Sequence, residues 1–361
     1  MGKSPKNIVF INPGQVGYPA GYYYYQKYLR AWHSYSIYSV CFDQGLPRCE
    51  IEGTTSLYVD FHGNRYVRQL RWVINVCKTI HNFSKRNSVF FVSYFRGCFL
   101  LPIVFPRHRI ILEIRSGSVS QNVIINRIQN LQTMLLTYLF KESAILSLEL
   151  MKYLKISNRR CSYLPLGADS LCESNKDFQE LHLLYVGTLS QRRIHETVEG
   201  LSIFIKKTGS HIIASYDIFG YGTTKDVEKL IYSIHNYGLD NIVSYHGMKN
   251  HTELKAYFEK CNLGVSYVPI TEYYDLQPVT KTYEYILSGL PCIGTETYAN
   301  RKVINDQNGV LCKDNAESFA SALDTIVQRR GGLDSSKIRA TLRDFSWQSI
   351  VEFYLKPLLD K

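Results

Sequence analysis

Residues 183–201 read LLYVGTLSQRRIHETVEGL. An apolar run ends at Gly187, two arginines follow, and apolar positions return at Ile194, Val198 and Leu201. The uninterrupted run suits a strand buried on both faces, and the i, i+4, i+7 return suits an amphipathic helix. A strand, a glycine turn and a helix open a doubly wound unit, in which the turn after the first strand is the usual phosphate site. Arg192 or Arg193 at that turn can neutralise a diphosphate, with Gly187 marking the turn. The plain alternative is a loop carrying two solvated arginines.

The same alternation extends in both directions. After the helix come the strand SYDIFGYG (215–222), a helix over 225–236, the strand NIVSYHG (241–247), a helix over 252–260, the strand NLGVSYVP (262–269), a helix over 278–288 and the strand PCIGT (291–295). Upstream, NIVFI (7–11) is a strand, and the loop NPGQVGYPAG (12–21) leads to a helix from Tyr22 to His33. SIYSVCF, SLYVDF, SVFFVSY and RIILEI read as further strands, with helices over 66–83 and 121–140. AILSLEL (144–150) reads as a short strand passing into a helix capped by Ser147. Strands alternating with helices imply parallel sheets. The expectation is α/β, two Rossmann-like domains facing a cleft: 1–170 and 171–345, joined near SYLPLGADSLCESNKD, with the amphipathic C-terminal helix 346–361 packing back on the first.

Composition narrows the class. The chain of 361 residues is 45% hydrophobic and 20% charged, values of a folded globular protein. The longest apolar run, CFLLPIVF (98–105), falls well short of the ~20 residues of a membrane span. MGKSPKNIVFI lacks a signal-peptide core, so a cytoplasmic location is expected. Nine scattered cysteines without a C-x-x-C pair suggest free thiols rather than zinc ligands or a disulfide framework. Residues 1–170 hold 21 Lys+Arg against 8 Asp+Glu, a charge of +13, and the remainder of the chain carries −2. Such asymmetry points the first domain toward an anionic partner: a lipid surface, a diphosphate-linked acceptor or nucleic acid.

The helix over 278–288 carries a second candidate site. Pro278 suits its first position and Gly289 the position just past its end. Free amides of Val279, Thr280 and Lys281 form a partly positive socket for phosphate oxygens, to which Thr280 adds a hydroxyl and Lys281 a full charge. Glu284, three residues beyond Lys281, can accept two ribose hydroxyls. A surface Lys–Glu pair on a capped helix is the competing explanation. FGYGT (219–223) supplies another glycine turn, at Gly220, able to lie against a base or ribose.

In order, YLPLGAD, YVGTLSQRR, FGYG, YHGMKNHTELKAYFEKCNLGVSYVP, KTYEYILSGLPCIGT, NGVLC and FSWQSIVEFY resemble the retaining glycosyltransferases of family 4, which have the GT-B fold. The resemblance implies transfer of a hexose from a nucleotide diphosphate sugar with retention of configuration. It makes Glu284 the ribose ligand, Arg192 the residue that steadies the leaving diphosphate, Val279 and Thr280 the backbone positions on the phosphates, and Gly21 the glycine of the facing N-terminal loop. Three positions depart from it. Leu276 stands where a glutamate would hold the donor sugar, leaving Glu272, Asp275 or Gln277 as substitutes. Thr188 stands where an arginine is common, which shifts phosphate charge to Arg192, Arg193 and Lys281. Glu113-Ile-Arg115 falls where a histidine often lines the active site, and Arg115 supplies positive charge there or only pairs with Glu113.

A departing nucleoside diphosphate needs fixed positive partners, here Arg192, Lys281 and helix amides. No D-x-D pair occurs, so neither metal nor cofactor is expected. The tyrosines 22–25 read mainly as core, with Tyr22 or Tyr23 the candidates for a cleft position. Residues 65–86, with Arg65, Arg68 and Arg71 beside apolar positions, read as an amphipathic helix for an anionic membrane, or as a basic face over a core helix. The resulting expectation is a cytoplasmic enzyme, peripheral on the inner membrane face. It takes a nucleotide-sugar donor and a lipid-linked or oligosaccharide acceptor in surface polysaccharide assembly, and does not bind nucleic acid. Alternatives are another GT-B enzyme such as a nucleotide-sugar epimerase, or a basic nucleic-acid-binding protein.

Overall fold

The computed structural model describes residues 6–361 apart from 18, 19, 119, 121, 158, 210, 211 and 250. The chain divides into two compact units, Met1–Leu166 with Trp347–Lys361, and Gly167–Ser346. Ala168 falls in the second unit because it pairs with Ser346 and its amide donates to the Phe345 carbonyl.

The first unit runs β1 (Lys6–Ile11), α1 (Ala20–Leu29), β2 (Tyr35–Asp43), β3 (Thr54–Asp60), α2 (Arg65–Asn82), β4 (Ser88–Ser93), α3 (Leu100–Val104), β5 (Arg109–Ile114), α4 (Val123–Leu139), β6 (Glu142–Ile145), α5 (Leu148–Tyr153) and β7 (Cys161–Tyr163). Its sheet has the order β3-β2-β1-β4-β5-β6-β7, and every pairing is parallel. The central strands β1, β4 and β5 are buried almost throughout because helices cover both faces, whereas the edge strand β3 is partly exposed. On one face Trp72, Val76 and Ile80 of α2, spaced at i, i+4, i+8, pack with Leu101 against Phe90, Val92 and Leu112. On the other, Tyr22 and Tyr25 of α1 pack on Phe10 and Phe91. Tyr22 is therefore a core residue rather than the cleft position considered from sequence. Helix α1 ends at Leu29, short of the expected His33, and the chain turns through Trp32 into β2.

The terminal segment completes this unit. Helix α14 (Trp347–Ile350) passes through a π-helical turn, Val351–Leu355, into α15 (Lys356–Asp360). Trp347 stacks on Tyr24 and meets Tyr25 edge-on. The last carbonyls, which have no partner inside a helix, accept from Lys6 (2.6 Å to Leu359) and Arg109 (2.6 Å to Leu358, 2.8 Å to Leu359). Cations at that end also complement the helix dipole.

The second unit runs β8 (Leu181–Val186), α6 (His195–Thr208), β9 (Ile213–Phe219), α7 (Thr224–Asn236), β10 (Val243–Tyr245), α8 (His251–Lys260), β11 (Leu263–Ser266), α9 (Glu272–Asp275), α10 (Thr280–Leu287), β12 (Cys292–Thr295), α11 (Tyr298–Arg301), β13 (Gly309–Cys312), α12 (Ala316–Arg329) and α13 (Ser335–Ala340). Its sheet is again parallel, in the order β10-β9-β8-β11-β12-β13. Both units are thus Rossmann-like, the fold class expected from sequence. The order reverses at β8, between β9 and β11, and at such a switch point the strand ends leave room for a ligand.

Candidate active site

The turn after β8 is built against the turn after β9. Gly187 (φ +154°) and Gly220 (φ +145°) lie in backbone regions open in practice only to glycine. A Cβ on Gly220 would fall 1.7 Å from the Gly187 carbonyl oxygen. Backbone bonds Gly187 N–H to Phe219 O and Leu189 N–H to Tyr221 O lock the two turns together. Gln191 and Arg193 both take positive φ, 61° and 52°, and bracket Arg192. Two left-handed non-glycine residues store strain, a pattern associated with functional turns.

That bracket sends the two arginines to different fates. Arg193 donates to Glu196 at 3.2 Å, to the Asp314 carbonyl at 3.2 Å and to the Asp314 carboxylate, so its charge is neutralised within the chain. Glu196 and Asp314 are further held by the Tyr267 hydroxyl and the Ile270 amide. The left-handed backbone turns Arg193 toward carboxylates whose positions the sequence does not give. The Arg192 guanidinium lies 4.0 Å from the centre of the Tyr274 ring, and its buried Nη1 has no hydrogen-bond partner among the described residues.

Helix α10 meets the same turn. Its N-cap is Val279, extended at φ −105°, so Pro278 stands one residue outside the helix instead of at its first position. The free socket is consequently made by the first amides of α10, at Thr280 and Lys281, with no side-chain cap over them. The other end follows expectation: Gly289 has φ +80°, its amide donates to Ile286 O, and the Leu290 amide donates to Tyr285 O, the paired bonds of a Schellman end. Tyr285 seats the helix on the sheet, where a Cβ on Gly264 would lie 2.3 Å from its ring. Its hydroxyl accepts from the Val186 amide at 2.8 Å.

Seating α10 in this way drives Lys281 inward. It is 7% exposed, and its Nζ rests 3.7 Å from the centre of the Tyr185 ring and 3.3 Å from where a Gly187 side chain would begin. Burial, followed by the nearby Arg192 charge, pushes its pKa well below the usual lysine value. A cation–π contact returns about 2 kcal/mol when desolvated, whereas burying an ammonium costs several. Tyr185 alone does not offset that cost, and an anion at this position would.

Glu284 lies on the same helix, partly exposed. Burial first, and Asp169 second, push its carboxyl up to about 7. Gly187, Gly220, Arg192, Val279, Thr280, Lys281 and Glu284 are therefore all in the second unit, at or beside the β8 switch point. The three donor-sugar candidates fare differently. Asp275 accepts from the Tyr298 amide, in the first turn of α11, at 2.7 Å through one carboxylate oxygen. Gln277 hydrogen-bonds Tyr273, and Glu272 is exposed on α9. Gly21 lies in the first turn of α1, in the first unit. Arg115, in the same unit, donates to Glu113 at 3.3 Å. The sequence reading assigns no role to Tyr185, Tyr274 or Asp169: a tyrosine in an apolar strand reads as core, Tyr274 belongs to no motif, and Asp169 only ends the YLPLGAD stretch.

Residues 180–329, within the second unit, match the family model described as Glycosyl transferases group 1. No curated protein is significantly similar to the chain. Among solved structures, sucrose-phosphate synthase from Thermosynechococcus elongatus superposes with a TM-score of 0.77 at 15% identity, over 98% of each chain. Anabaena HepE in complex with UDP and glucose gives 0.73 at 14% identity, over 99% of this chain and 100% of that one. The apo lipopolysaccharide outer core galactosyltransferase WaaB gives 0.69 at 14% identity, over 98% and 99%. The fold is GT-B, that of glycosyltransferases.

Proposed function

We propose that the protein is a retaining hexosyltransferase of family 4 type. It takes a hexose from a nucleotide diphosphate sugar to a lipid-linked glycan acceptor, in surface polysaccharide assembly at the inner membrane face. The observation that carries this reading is the pair of cations at the β8 turn. Lys281 is buried without an ion pair among the described residues, and Arg192 has an orphaned guanidinium nitrogen. A diphosphate supplies what both lack. HepE, solved with UDP and glucose, makes UDP-hexose the first donor to test.

In this mechanism the bond between the anomeric carbon and the phosphate oxygen breaks, and the nucleoside diphosphate leaves with the electron pair. Arg192, Lys281 and the first amides of α10 stabilise the charge it gains, without a metal ion. Glu284 holds the ribose. The acceptor oxygen attacks on the face of departure and passes its proton to the departing phosphate. No helix among the described residues is long and apolar enough to cross a membrane, so the association proposed is peripheral.

A thermal-shift panel of nucleoside diphosphates and nucleotide sugars tests the reading, with and without EDTA. Stabilisation by UDP-hexose that EDTA leaves intact is the expected result. No shift from any nucleotide would overturn it.

A further inference from the structure

The apolar and polar faces of α4 are reversed relative to an ordinary surface helix. Its polar side is turned to the protein: Asn126 and Asn130 bond the chain at Ser118 and Ser120, and Gln129 accepts from the Ser118 hydroxyl. Thr137 is its single buried residue among those described, while Ile124, Ile128, Leu131 and Leu135 are each at least half exposed. Beside it, α2 exposes Tyr66 and Leu70. Neither helix contains an aspartate or glutamate, and together they carry Arg65, Arg68, Arg71, Lys78 and Arg127.

Between α2 and α4 lies a groove of about 1230 Å³, open to solvent and larger than the ~300–1,000 Å³ of ordinary small-molecule pockets. Leu70, Ile125, Ile128 and Leu135 line its helical walls. Its charged groups gather where β4 and β5 end, at Arg96, Glu113 and Arg115, while Gln69, Gln132 and Thr133 add polar groups along the helical walls. Arg96 is exposed and forms no ion pair among the described residues. Glu113 is 3% exposed, and its Oε1 accepts from Tyr25 at 3.0 Å and from Arg115. Its Oε2 is buried, and the buried Tyr22 hydroxyl bears on the same carboxylate.

We propose that this groove holds the lipid of an amphiphilic acceptor. The hydrocarbon chain lies between α2 and α4, and an anionic phosphate sits at Arg96, with Arg115 beside it. Charge complementarity selects an anionic lipid, since the walls carry cations and no exposed acid. The proposal rests on the reading of the protein as a transferase with a lipid-linked acceptor, and gives that acceptor a site.

The test is calorimetric titration of the full chain with dodecyl phosphate, kept below its micellar concentration, against inorganic phosphate and dodecanol. One saturable site is expected, at least about tenfold tighter for dodecyl phosphate than for either fragment. Leu135→Asp and Arg96→Ala each weaken it about tenfold or more, while Ile124→Asp, exposed and outside the groove lining, changes it less than about twofold. Both Leu135 and Arg96 are exposed, so the variants fold, and should Leu135→Asp melt early, Arg96→Ala carries the test. Absence of a saturable site overturns the proposal. So does equal weakening by Ile124→Asp, which would make the outer face of α4 a bilayer contact, or a dimer that Leu135→Asp dissociates. The UDP thermal shift is recorded on the same samples. A retained shift without dodecyl phosphate binding removes the groove alone, whereas a missing shift removes the nucleotide-sugar reading.

Discussion

The Lys281 ammonium stands over the face of Tyr185, 3.7 Å from the ring centre, with no ion pair among the described residues. The free protein therefore bears a desolvated cation that it does not fully compensate. Lys281→Met keeps most of the side-chain volume and removes the charge. At neutral pH the unfolded chain protonates this lysine more readily than the folded one does, so the charge works against folding. The methionine variant is expected to melt at or above the wild-type temperature and to lose the thermal shift given by UDP. A variant that melts lower and still responds to UDP would make Lys281 a structural residue.

Arg192 and Arg193 are adjacent in sequence and opposite in consequence. Arg193→Met strands Glu196 and Asp314 without their counter-charge and is expected to cost ~1–3 kcal/mol of stability, with UDP affinity nearly unchanged. Arg192→Met forfeits only a ring contact within the chain, so stability should hold while affinity falls about tenfold or more. Chemical denaturation and calorimetry on the two variants separate the roles. The reverse pattern would make Arg193 the donor ligand.

That contrast marks where sequence reading stops. Strand–helix alternation places nearly every strand of both sheets, because parallel strands covered on both faces must be continuously apolar. β8 ends in a turn at Gly187 and α10 at Gly289 for conformational reasons that glycine declares by itself. Helix starts are less legible: Pro278 looked like a first helical residue, yet Val279 is the extended cap. Which of two adjacent arginines is free depends on a left-handed φ at Arg193 and on Asp314, far along the chain. That one Asp275 oxygen accepts from the Tyr298 amide is likewise not visible in the sequence. The inverted polarity of α4 escaped notice because periodicity shows that a helix has two faces and not which one turns inward.

Gly220→Ala tests whether the two glycine turns form one unit. The added carbon would overlap the Gly187 carbonyl oxygen at 1.7 Å, and neither backbone can retreat without breaking the bonds that tie β8 to β9. A loss of ~3 kcal/mol or more is expected from the overlap together with the strain of φ +145° on alanine. A denaturation midpoint within error of wild type would mean the turns are free to separate.

Glu284 and Lys281 together give nucleotide-sugar binding a predicted pH profile. Burial, with Asp169 adding to it, raises the Glu284 carboxyl from 4.5 to about 7, so the free site is mostly protonated in mildly acidic solution. Ribose hydroxyls donate to the carboxylate, and binding therefore releases a proton and strengthens as pH rises through about 7. Lys281 acts in the opposite sense: a bound diphosphate keeps it charged, so affinity declines as rising pH deprotonates the free site, earlier than an ordinary lysine would. A bell-shaped profile follows for UDP-glucose, whose diphosphate does not itself titrate near neutrality. Glu284→Gln should abolish the rising limb and keep the falling one. The same substitution should stabilise the unliganded protein above pH about 7, where the ionised carboxylate is a burden, and make little difference well below 4.5, where it is protonated folded or unfolded. Calorimetry across that range, with melting curves of both forms, checks each limb. A glutamine variant that still gains affinity through neutral pH would place the titrating group elsewhere and remove Glu284 from the ribose.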